Sequence, residues 1–214
     1  MKDIIPQRNI VAFVCLLTIG AGGVRAQTAN PPATPPDPNS IPSQPYTPLT
    51  GDERLHGYIK ATVGPMTWVT GAFSAGWGQL RDRPHEWGQG ARGFGLRMGS
   101  GFAQRVTRET LTYGAASLLH EDNRYFRSTD TAKGKRLEYA ILSTFLARKE
   151  DGTREFSYSR IGGMLGSSLI SRTWQPASTG SMNSAGVNFG TSLGFAVGFN
   201  VMREFLPKKL KLFK

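Results

Sequence analysis

The chain is poor in the residues that most often carry out chemistry in proteins. Its 214 residues include a single cysteine, Cys15, and three histidines. Cys15 lies in an N-terminal segment that we expect to be removed, so the folded protein should contain no thiol. This absence excludes disulfides, thiolate metal sites and cysteine nucleophiles. Packing must therefore stabilise the fold.

Acidic side chains are a minority among the charged residues. The chain has 26 lysines and arginines against 15 aspartates and glutamates, a net charge of +11. Loss of residues 1–26 would remove three basic residues and one acidic residue, leaving 23 against 14, or +9. A surplus of this size favours anionic partners, which for an exported protein are membrane lipids or envelope polymers rather than nucleic acid. The sequence predicts no cofactor.

Beyond the N-terminus, the chain also lacks a continuous apolar run of membrane-spanning length. Residues 61–80 and 173–202 are uncharged and long enough to cross a bilayer, but polar residues and proline interrupt both stretches. A helix of such modest hydropathy would insert poorly by itself. Two alternatives stay open for these two stretches. Either they are buried within a helical bundle, or they contact a membrane, by inserting as an assembly or by lying at its surface.

Residues 1–26 have the organisation of a cleaved signal peptide. Lys2 and Arg8 supply a positive start, residues 10–19 form a short apolar run, and residues 24–26 read Val-Arg-Ala, with small side chains where a signal peptidase cleaves. The alternative is an uncleaved membrane anchor. The sequence therefore predicts export, to the periplasm or to the outer membrane.

Three segments follow this leader. Residues 27–48 contain eight of the chain's thirteen prolines, which are incompatible with regular helix or sheet, so we expect an extended, disordered linker. Residues 49–206 predict one glycine-rich helical domain. Its helix-start signals are a capping box from Thr50 to Glu53, Pro65 in a first helical turn, and Ser157 or Ser159 as the cap of a helix over residues 160–174; a last helix is expected from about residue 181 to residue 206. Residues 207–214 form a basic amphipathic tail.

The tail predicts contact with lipid. Its lysines are interleaved with large apolar side chains, a mixture that enters a membrane interface while the cations pair with anionic headgroups. The candidate lipid-contact residues are Lys208, Lys209, Lys211, Leu210 and Phe213. A solvated basic C-terminus is the alternative.

Glycine is abundant and regularly spaced in the predicted helices. It recurs every fourth residue in two stripes, at Gly186, Gly190, Gly194 and Gly198 and at Gly162 and Gly166. Because glycine inside a helix costs about 1 kcal/mol relative to alanine, such stripes need a compensating contact. Without Cβ atoms, two helix backbones can approach closely. The sequence therefore predicts an all-α fold, a single bundle of about five to six helices packed through these small residues.

The longer stripe has a second interpretation. From Val187 to Phe199 large residues alternate with small or polar ones, as in a strand of an outer-membrane β-barrel. However, no turn signal divides residues 181–202 into strands, and residues 136–148 show helical spacing. We therefore prefer the helix and keep the barrel as an alternative.

Two pairs of side chains are candidates for catalysis. They are His85 with Glu86 and His120 with Asp122. Imidazole and carboxylate together can bind zinc or act as acid and base, so a hydrolase is an alternative if the two pairs meet in space. The His-Glu-x-x-His and Gly-x-Ser-x-Gly motifs are absent. Ion pairs that fix the following loop are the ordinary explanation, and we assign no metal site.

A resemblance rests on three segments: "GPMTWVTGAFSAGWGQLRDRPHEWGQGARGFGLRMGS", "HEDNRYFRS" and "EFLPKKLKLFK". Through them the chain resembles a family of exported bacterial proteins with a Pro-rich leader and a glycine-rich helical body. The resemblance implies the fold and the export but no activity or functional residue. Our leading hypothesis is a non-enzymatic envelope protein that binds anionic lipid or associates with copies of itself.

Overall fold

A computed structural model describes residues 46–206. Within this range the chain forms six α-helices: α1 (Gly51–Val63), α2 (Pro65–Leu80), α3 (Gly90–Leu118), α4 (Lys133–Phe145), α5 (Tyr158–Ile170) and α6 (Met182–Phe205). Short 3-10 helices occur at His85–Trp87 and Ser171–Thr173. The prediction of an all-α helical bundle is confirmed. The predicted leader, most of the predicted linker and the predicted tail lie outside the described residues.

Several helices begin at residues that cap them, as the sequence predicts. The Thr50 hydroxyl accepts a hydrogen bond from the backbone N–H of Glu53, and the Glu53 carboxylate accepts one from the backbone N–H of Thr50. This reciprocal capping box starts α1. Pro65 occupies the first turn of α2, where its missing N–H costs nothing. Ser157 and Ser181 cap α5 and α6, each accepting from the backbone N–H three residues later.

A short β-hairpin connects α4 to α5, and sequence periodicity does not predict it. Strand β1 (Leu146–Arg148) pairs antiparallel with β2 (Arg154–Phe156). Residues 146–148 continue the helical spacing of α4, which places them in the helix on periodicity alone. Asp122 forms a further antiparallel bridge with Arg148. The hairpin therefore ties the segment after α3 to the region between α4 and α5.

Contacts between the helices run in a row. Helix α3 contacts both α1 and α2, and it also contacts α5. Helix α5 in turn contacts α6, and α6 contacts α4. Helix α3 has three helical neighbours, whereas each of the other helices has one or two and keeps an uncovered face.

The spaces between the helices are filled by small and polar side chains. Among the described residues, the buried hydrophobic side chains are five alanines and Met164. Buried polar or charged side chains outnumber them and include Arg97, Glu121, Asp122 and Glu204. The same residues 46–206 expose 22 large hydrophobic side chains. The interior is therefore unusually polar, and many large apolar side chains lie at the surface.

Small residues bring α3 and α5 together. A Cβ atom on Gly166 would lie 2.8 Å from Leu111 Cδ1, and one on Gly163 would overlap the Thr112 hydroxyl. At Gly162, by contrast, a Cβ atom would meet nothing within 4 Å. The predicted pair is thus corrected to Gly163 and Gly166, because position 163 rather than position 162 faces α3.

The longer glycine stripe is helical but uncovered. Met182–Phe205 forms one helix, so the strand interpretation of this segment is wrong. A Cβ atom would meet nothing within 4 Å at any of the four stripe positions, Gly186, Gly190, Gly194 and Gly198. The prediction that these glycines pack against a neighbouring helix is therefore wrong for the described chain. Helix α6 makes its contact with α4 through a different side, where Asn200 Nδ2 donates to Thr144 Oγ1 at 2.9 Å.

Candidate functional site

The four candidate catalytic residues lie in two places rather than one. His85 and Glu86 precede α3, whereas His120 and Asp122 follow it. Helix α3 has 29 residues, which makes it about 43 Å long at 1.5 Å per residue. The two pairs therefore do not meet, and the predicted hydrolytic arrangement is wrong within this chain. In residues 46–206, no group of three or more histidine, cysteine, aspartate or glutamate side chains is arranged to hold a metal ion.

His85 and Glu86 form part of a contact between two loops. His85 is exposed, and its Nδ1 lies 3.5 Å from Glu86 Oε2. Glu86 accepts hydrogen bonds from the backbone N–H of Ser178 at 3.1 Å and from its hydroxyl at 2.7 Å. Partial burial raises the pKa of Glu86, but the bonds from Ser178 and the nearby His85 outweigh burial and lower the pKa overall. The pair thus joins the loop before α3 to the connection between α5 and α6.

His120 is exposed just after α3, whereas Asp122 is buried. His120 has a φ of 54°, and its Nε2 lies 4.0 Å from Glu150 Oε1. The Asp122 carboxylate accepts hydrogen bonds from Arg124 Nε at 2.9 Å and from the Tyr46 hydroxyl at 3.3 Å. Its Oδ2 also lies 2.7 Å from the terminal guanidinium nitrogen of Arg124. Asp122 therefore binds groups of this chain and fixes the loop that follows α3.

Glu121, between these two residues, has the larger structural role, and the sequence analysis missed it. Its carboxylate accepts hydrogen bonds from the Ser159 hydroxyl at 2.6 Å, the Ser159 N–H at 3.0 Å and the Tyr158 N–H at 3.3 Å. These donors lie at the start of α5, where backbone N–H groups have no partner within the helix and the helix dipole favours a negative charge. Ser157 and Ser159, beside the predicted start of α5, are the sequence signal that could have indicated a buried carboxylate partner such as Glu121.

Asn123 and Arg160 complete this buried cluster, which we name the polar hub: Glu121, Asn123, Ser157, Ser159 and Arg160. Asn123 accepts from the Ser157 hydroxyl and donates to the Ser159 hydroxyl, both at 2.7 Å. Arg160 donates to backbone carbonyl oxygens of Asn123, Ser143 and Thr144. Burial lowers the pKa of Arg160 to about 10, so it stays protonated at neutral pH. The polar hub thus joins the ends of α3 and α4 to the start of α5.

A second buried carboxylate, Glu204, anchors the end of α6. It accepts hydrogen bonds from the Tyr125 hydroxyl at 2.7 Å, Arg136 Nε at 2.7 Å and the Ser128 N–H at 3.1 Å. Burial raises the pKa of Glu204, but these three donors outweigh burial and lower it overall. The candidate lipid-contact residues follow this anchor and lie outside the described residues: Lys208, Lys209, Lys211, Leu210 and Phe213.

Both carboxylate clusters are complete without a ligand. Among the described residues, no buried side-chain nitrogen or oxygen lacks a hydrogen-bond partner. The side chains of Glu121, Asp122 and Glu204 are at most 1% exposed. A substrate therefore cannot reach these carboxylates in this structure.

Comparisons with known proteins do not supply a family. No family model, curated protein or solved structure matches this chain. The resemblance to exported proteins with a Pro-rich leader therefore stays a prediction. The chemistry of the protein's own surface is what indicates a function.

Every helix exposes large apolar side chains, although α3 does so only in its last turn, at Leu118. They include Leu55 and Ile59 on α1, Leu137 and Ile141 on α4, Leu165 and Leu169 on α5, and Val187 and Phe195 on α6. Within residues 46–206, no helix combines the length and the hydropathy needed to cross a bilayer. Exposed apolar surface on this scale marks a site of interaction with another molecule.

The densest group of these side chains lies on α2, and we name it the α2 face: Val69, Phe73, Trp77 and Leu80. Their exposed fractions are 64%, 71%, 50% and 82%. They are spaced four, four and three residues apart, so they lie on one side of the helix. No charged residue occurs in the 16 residues of α2. The α2 face is therefore the strongest candidate interaction surface in the described part of the chain.

An apolar groove runs beside the α2 face, between α2 and α3. Its volume is about 390 Å³, and it is lined by Phe73, Gly76, Trp77, Gln79, Leu80 and Phe94. Because Gly76 has no side chain and a Cβ atom there would meet nothing within 4 Å, this part of the groove stays open. Apolar lining of this kind suits a hydrocarbon chain better than a polar ligand.

Two arginines define the C-terminal end of α2. Arg97, which is buried, donates at 2.7–2.9 Å to three backbone carbonyl oxygens of the loop between α2 and α3, those of Arg83, Pro84 and Gly88. It therefore fixes the path of this loop. The guanidinium carbon of Arg81 lies 4.5 Å from the ring centroid of Trp77. A cation thus stands at the edge of the α2 face.

Proposed function

We propose that the protein is an exported, non-enzymatic component of the cell envelope that associates with anionic membrane lipid through its apolar outer surface. The observation that carries this proposal is the exposure of 22 large hydrophobic side chains in residues 46–206, where the buried hydrophobic side chains are five alanines and Met164. Covering apolar surface contributes about 25 cal/mol per Å². Contact with lipid hydrocarbon by several of these side chains would therefore hold the protein on a membrane.

The charge of the chain supports the same partner. The sequence has a net charge of +11, and each basic residue near an anionic membrane surface contributes roughly 1 kcal/mol. The signal-peptide pattern of residues 1–26 supports export, which would bring the protein to envelope lipids. Apolar contact and cationic attraction thus favour the same kind of surface.

Self-association is the second candidate function. The observation that favours it is the open glycine stripe of α6, where a Cβ atom would meet nothing within 4 Å at any of the four positions. Two helices can approach closely along such a stripe, because no side chain separates their backbones. A second copy of the chain would then cover part of the exposed apolar surface.

Fractionation of cells that express the full chain tests the proposal. We expect the protein to lose residues 1–26, as shown by the mass of the purified chain, and to sediment with the envelope membranes at low salt. A matched chain with Leu16 and Leu17 replaced by arginine in the leader should stay inside the cell unprocessed. An unprocessed wild-type chain in the cytosolic fraction would overturn the export proposal, and a processed chain that remains in the soluble periplasmic fraction would overturn membrane association.

A further inference from the structure

We infer that the α2 face is the surface that docks on the membrane, with lipid acyl chains seated against Phe73, Trp77 and Leu80 and the groove beside them. This inference rests on the proposed membrane association and specifies which part of the molecule carries it. The occupant is the hydrocarbon of an anionic bilayer. The headgroup phosphates would lie at the C-terminal end of α2, near Arg81.

The shape of α2 fits a helix that lies in the plane of a membrane interface. Its 16 residues give a length of about 24 Å. The exposed side carries the α2 face, while Thr67 and Ala75 on the other side are buried. Such helices enter the boundary between headgroups and acyl chains to a depth of about 5 to 10 Å. Side chains as exposed as Phe73 and Leu80 reach this depth without any change in the fold.

Both ends of α2 carry a tryptophan, the residue type that prefers membrane interfaces. Trp68 lies in the first turn, 48% exposed and stacked on Phe102 with ring centroids 5.3 Å apart. Trp77 lies in the last turn, beneath the Arg81 guanidinium. An arginine against an aromatic ring keeps its charge in water while its stem covers apolar surface. This pairing is suited to the level of the headgroups.

The charges around the C-terminal end of α2 complement an anionic surface. The arginines Arg81, Arg83 and Arg92 are exposed. The acidic residues of the same loop have partners within the protein. Asp82 Oδ1 accepts from Gln89 Nε2 at 2.7 Å and lies 3.6 Å from Arg97, and Glu86 binds the connection between α5 and α6. The loop therefore offers cations to a phosphate while its carboxylates are engaged.

Other exposed apolar groups in residues 46–206 fit a membrane less well. On α4, the exposed Leu137 and Ile141 have the charged Glu138 between them in sequence. On α6, four exposed apolar side chains share a side but are spread over 19 residues among glycines: Val187, Phe195, Met202 and Phe205. Only on α2 do four exposed large apolar side chains share one uncharged side within 12 residues, next to an apolar groove.

Single-cysteine probes test this assignment on the exported protein. In a Cys15→Ser background, an environment-sensitive fluorophore is attached at Phe73→Cys, at Leu80→Cys or, as matched exposed controls, at Leu142→Cys on α4 and Val187→Cys on α6. Each protein is mixed with phosphatidylglycerol vesicles or with phosphatidylcholine vesicles. We expect a blue-shifted emission at positions 73 and 80 with phosphatidylglycerol vesicles and unchanged emission at positions 142 and 187.

A paired set of variants measures the contribution of the α2 face to affinity. Phe73→Ser with Leu80→Ser should weaken binding to phosphatidylglycerol vesicles by about tenfold or more, because two large apolar contacts are lost. Leu137→Ser with Ile141→Ser on α4 should change binding by less than about twofold. Circular dichroism confirms that both variants keep their helices.

The outcomes separate this inference from the proposed function. Vesicle binding accompanied by a response at position 142 or 187 instead of positions 73 and 80 would overturn the assignment to α2 and leave membrane association standing. Absence of vesicle binding would overturn both. A response at positions 73 and 80 that depends on protein concentration and not on vesicles would also overturn the inference, because the occupant would then be a second copy.

Discussion

At the residue scale, the interior depends on carboxylates that accept hydrogen bonds from several elements at once. An ionised group in a poorly hydrated interior is costly unless every acceptor position has a donor. Glu121 meets this condition through donors at the start of α5, and Glu204 meets it through Tyr125 and Arg136. The segment after α3, residues 121–128, contributes to both clusters. Its charged residues therefore join several elements of the fold.

The pH dependence of stability should reveal the role of Glu204. Its folded-state pKa lies below the ordinary value of 4.5, so its contribution is fully present above that value and is lost as pH falls through the lower folded pKa. Near pH 7, Glu204→Gln should reduce the free energy of unfolding by about 1.5 to 3 kcal/mol. The difference from the wild type should shrink as pH falls below about 4. Urea unfolding followed by circular dichroism at a series of pH values measures both effects.

The control for this experiment is Glu150→Gln. The Glu150 side chain is 58% exposed, so this substitution should change stability by less than about 0.5 kcal/mol. A Glu204→Gln chain as stable as the Glu150→Gln chain at neutral pH would contradict the anchoring role of Glu204.

At the scale of the elements, local signals in the sequence predict where several helices begin. The capping box of Thr50 and Glu53, Pro65 at the start of α2 and the serine caps of α5 and α6 all occur in the structure. These signals are predictable because each involves residues within one turn of the chain. The β-hairpin at residues 146–156 is not predictable from periodicity, because residues 146–148 keep the helical spacing of α4 and yet pair with residues 154–156.

Which glycines pack against a neighbour depends on the rotation of each helix, and spacing alone cannot reveal that rotation. Gly186 to Gly198 keep a perfect four-residue spacing and face no described neighbour. Gly163 does not belong to the predicted pair of Gly162 and Gly166, yet it faces α3. The sequence therefore predicts that small residues matter to the fold, but of the six predicted glycines only Gly166 packs against another helix of the described chain.

Alanine substitutions distinguish these two kinds of glycine. In Gly163→Ala the new Cβ atom would overlap the Thr112 hydroxyl and lie 3.1 Å from the Arg108 carbonyl oxygen, so we expect a loss of about 1 to 3 kcal/mol. In Gly190→Ala the Cβ atom meets open space, and the higher helix propensity of alanine should stabilise the fold by about 0.5 to 1 kcal/mol. Thermal and urea unfolding measure both changes. Equal destabilisation by the two substitutions would contradict the assigned orientation of α6.

At the scale of the whole molecule, the open arrangement of the helices explains the exposed apolar surface. Every helix except α3 keeps an uncovered face, so apolar stripes that would meet in the centre of a closed bundle remain outside. The sequence predicts the apolar stripes and the basic charge, but not the uncovered faces, because these depend on how far each helix is enclosed by its neighbours. The buried carboxylates are missed for the same reason, since their donors come from distant segments.

Flotation of the exported protein with lipid vesicles tests the central claim most directly. At low salt we expect most of the protein to float with phosphatidylglycerol vesicles and a smaller fraction to float with phosphatidylcholine vesicles. At about 0.5 M salt, where charges are largely screened beyond a few ångströms, binding should weaken but persist through apolar contact. Protein that stays at the bottom of the gradient with both lipids at low salt would contradict the account.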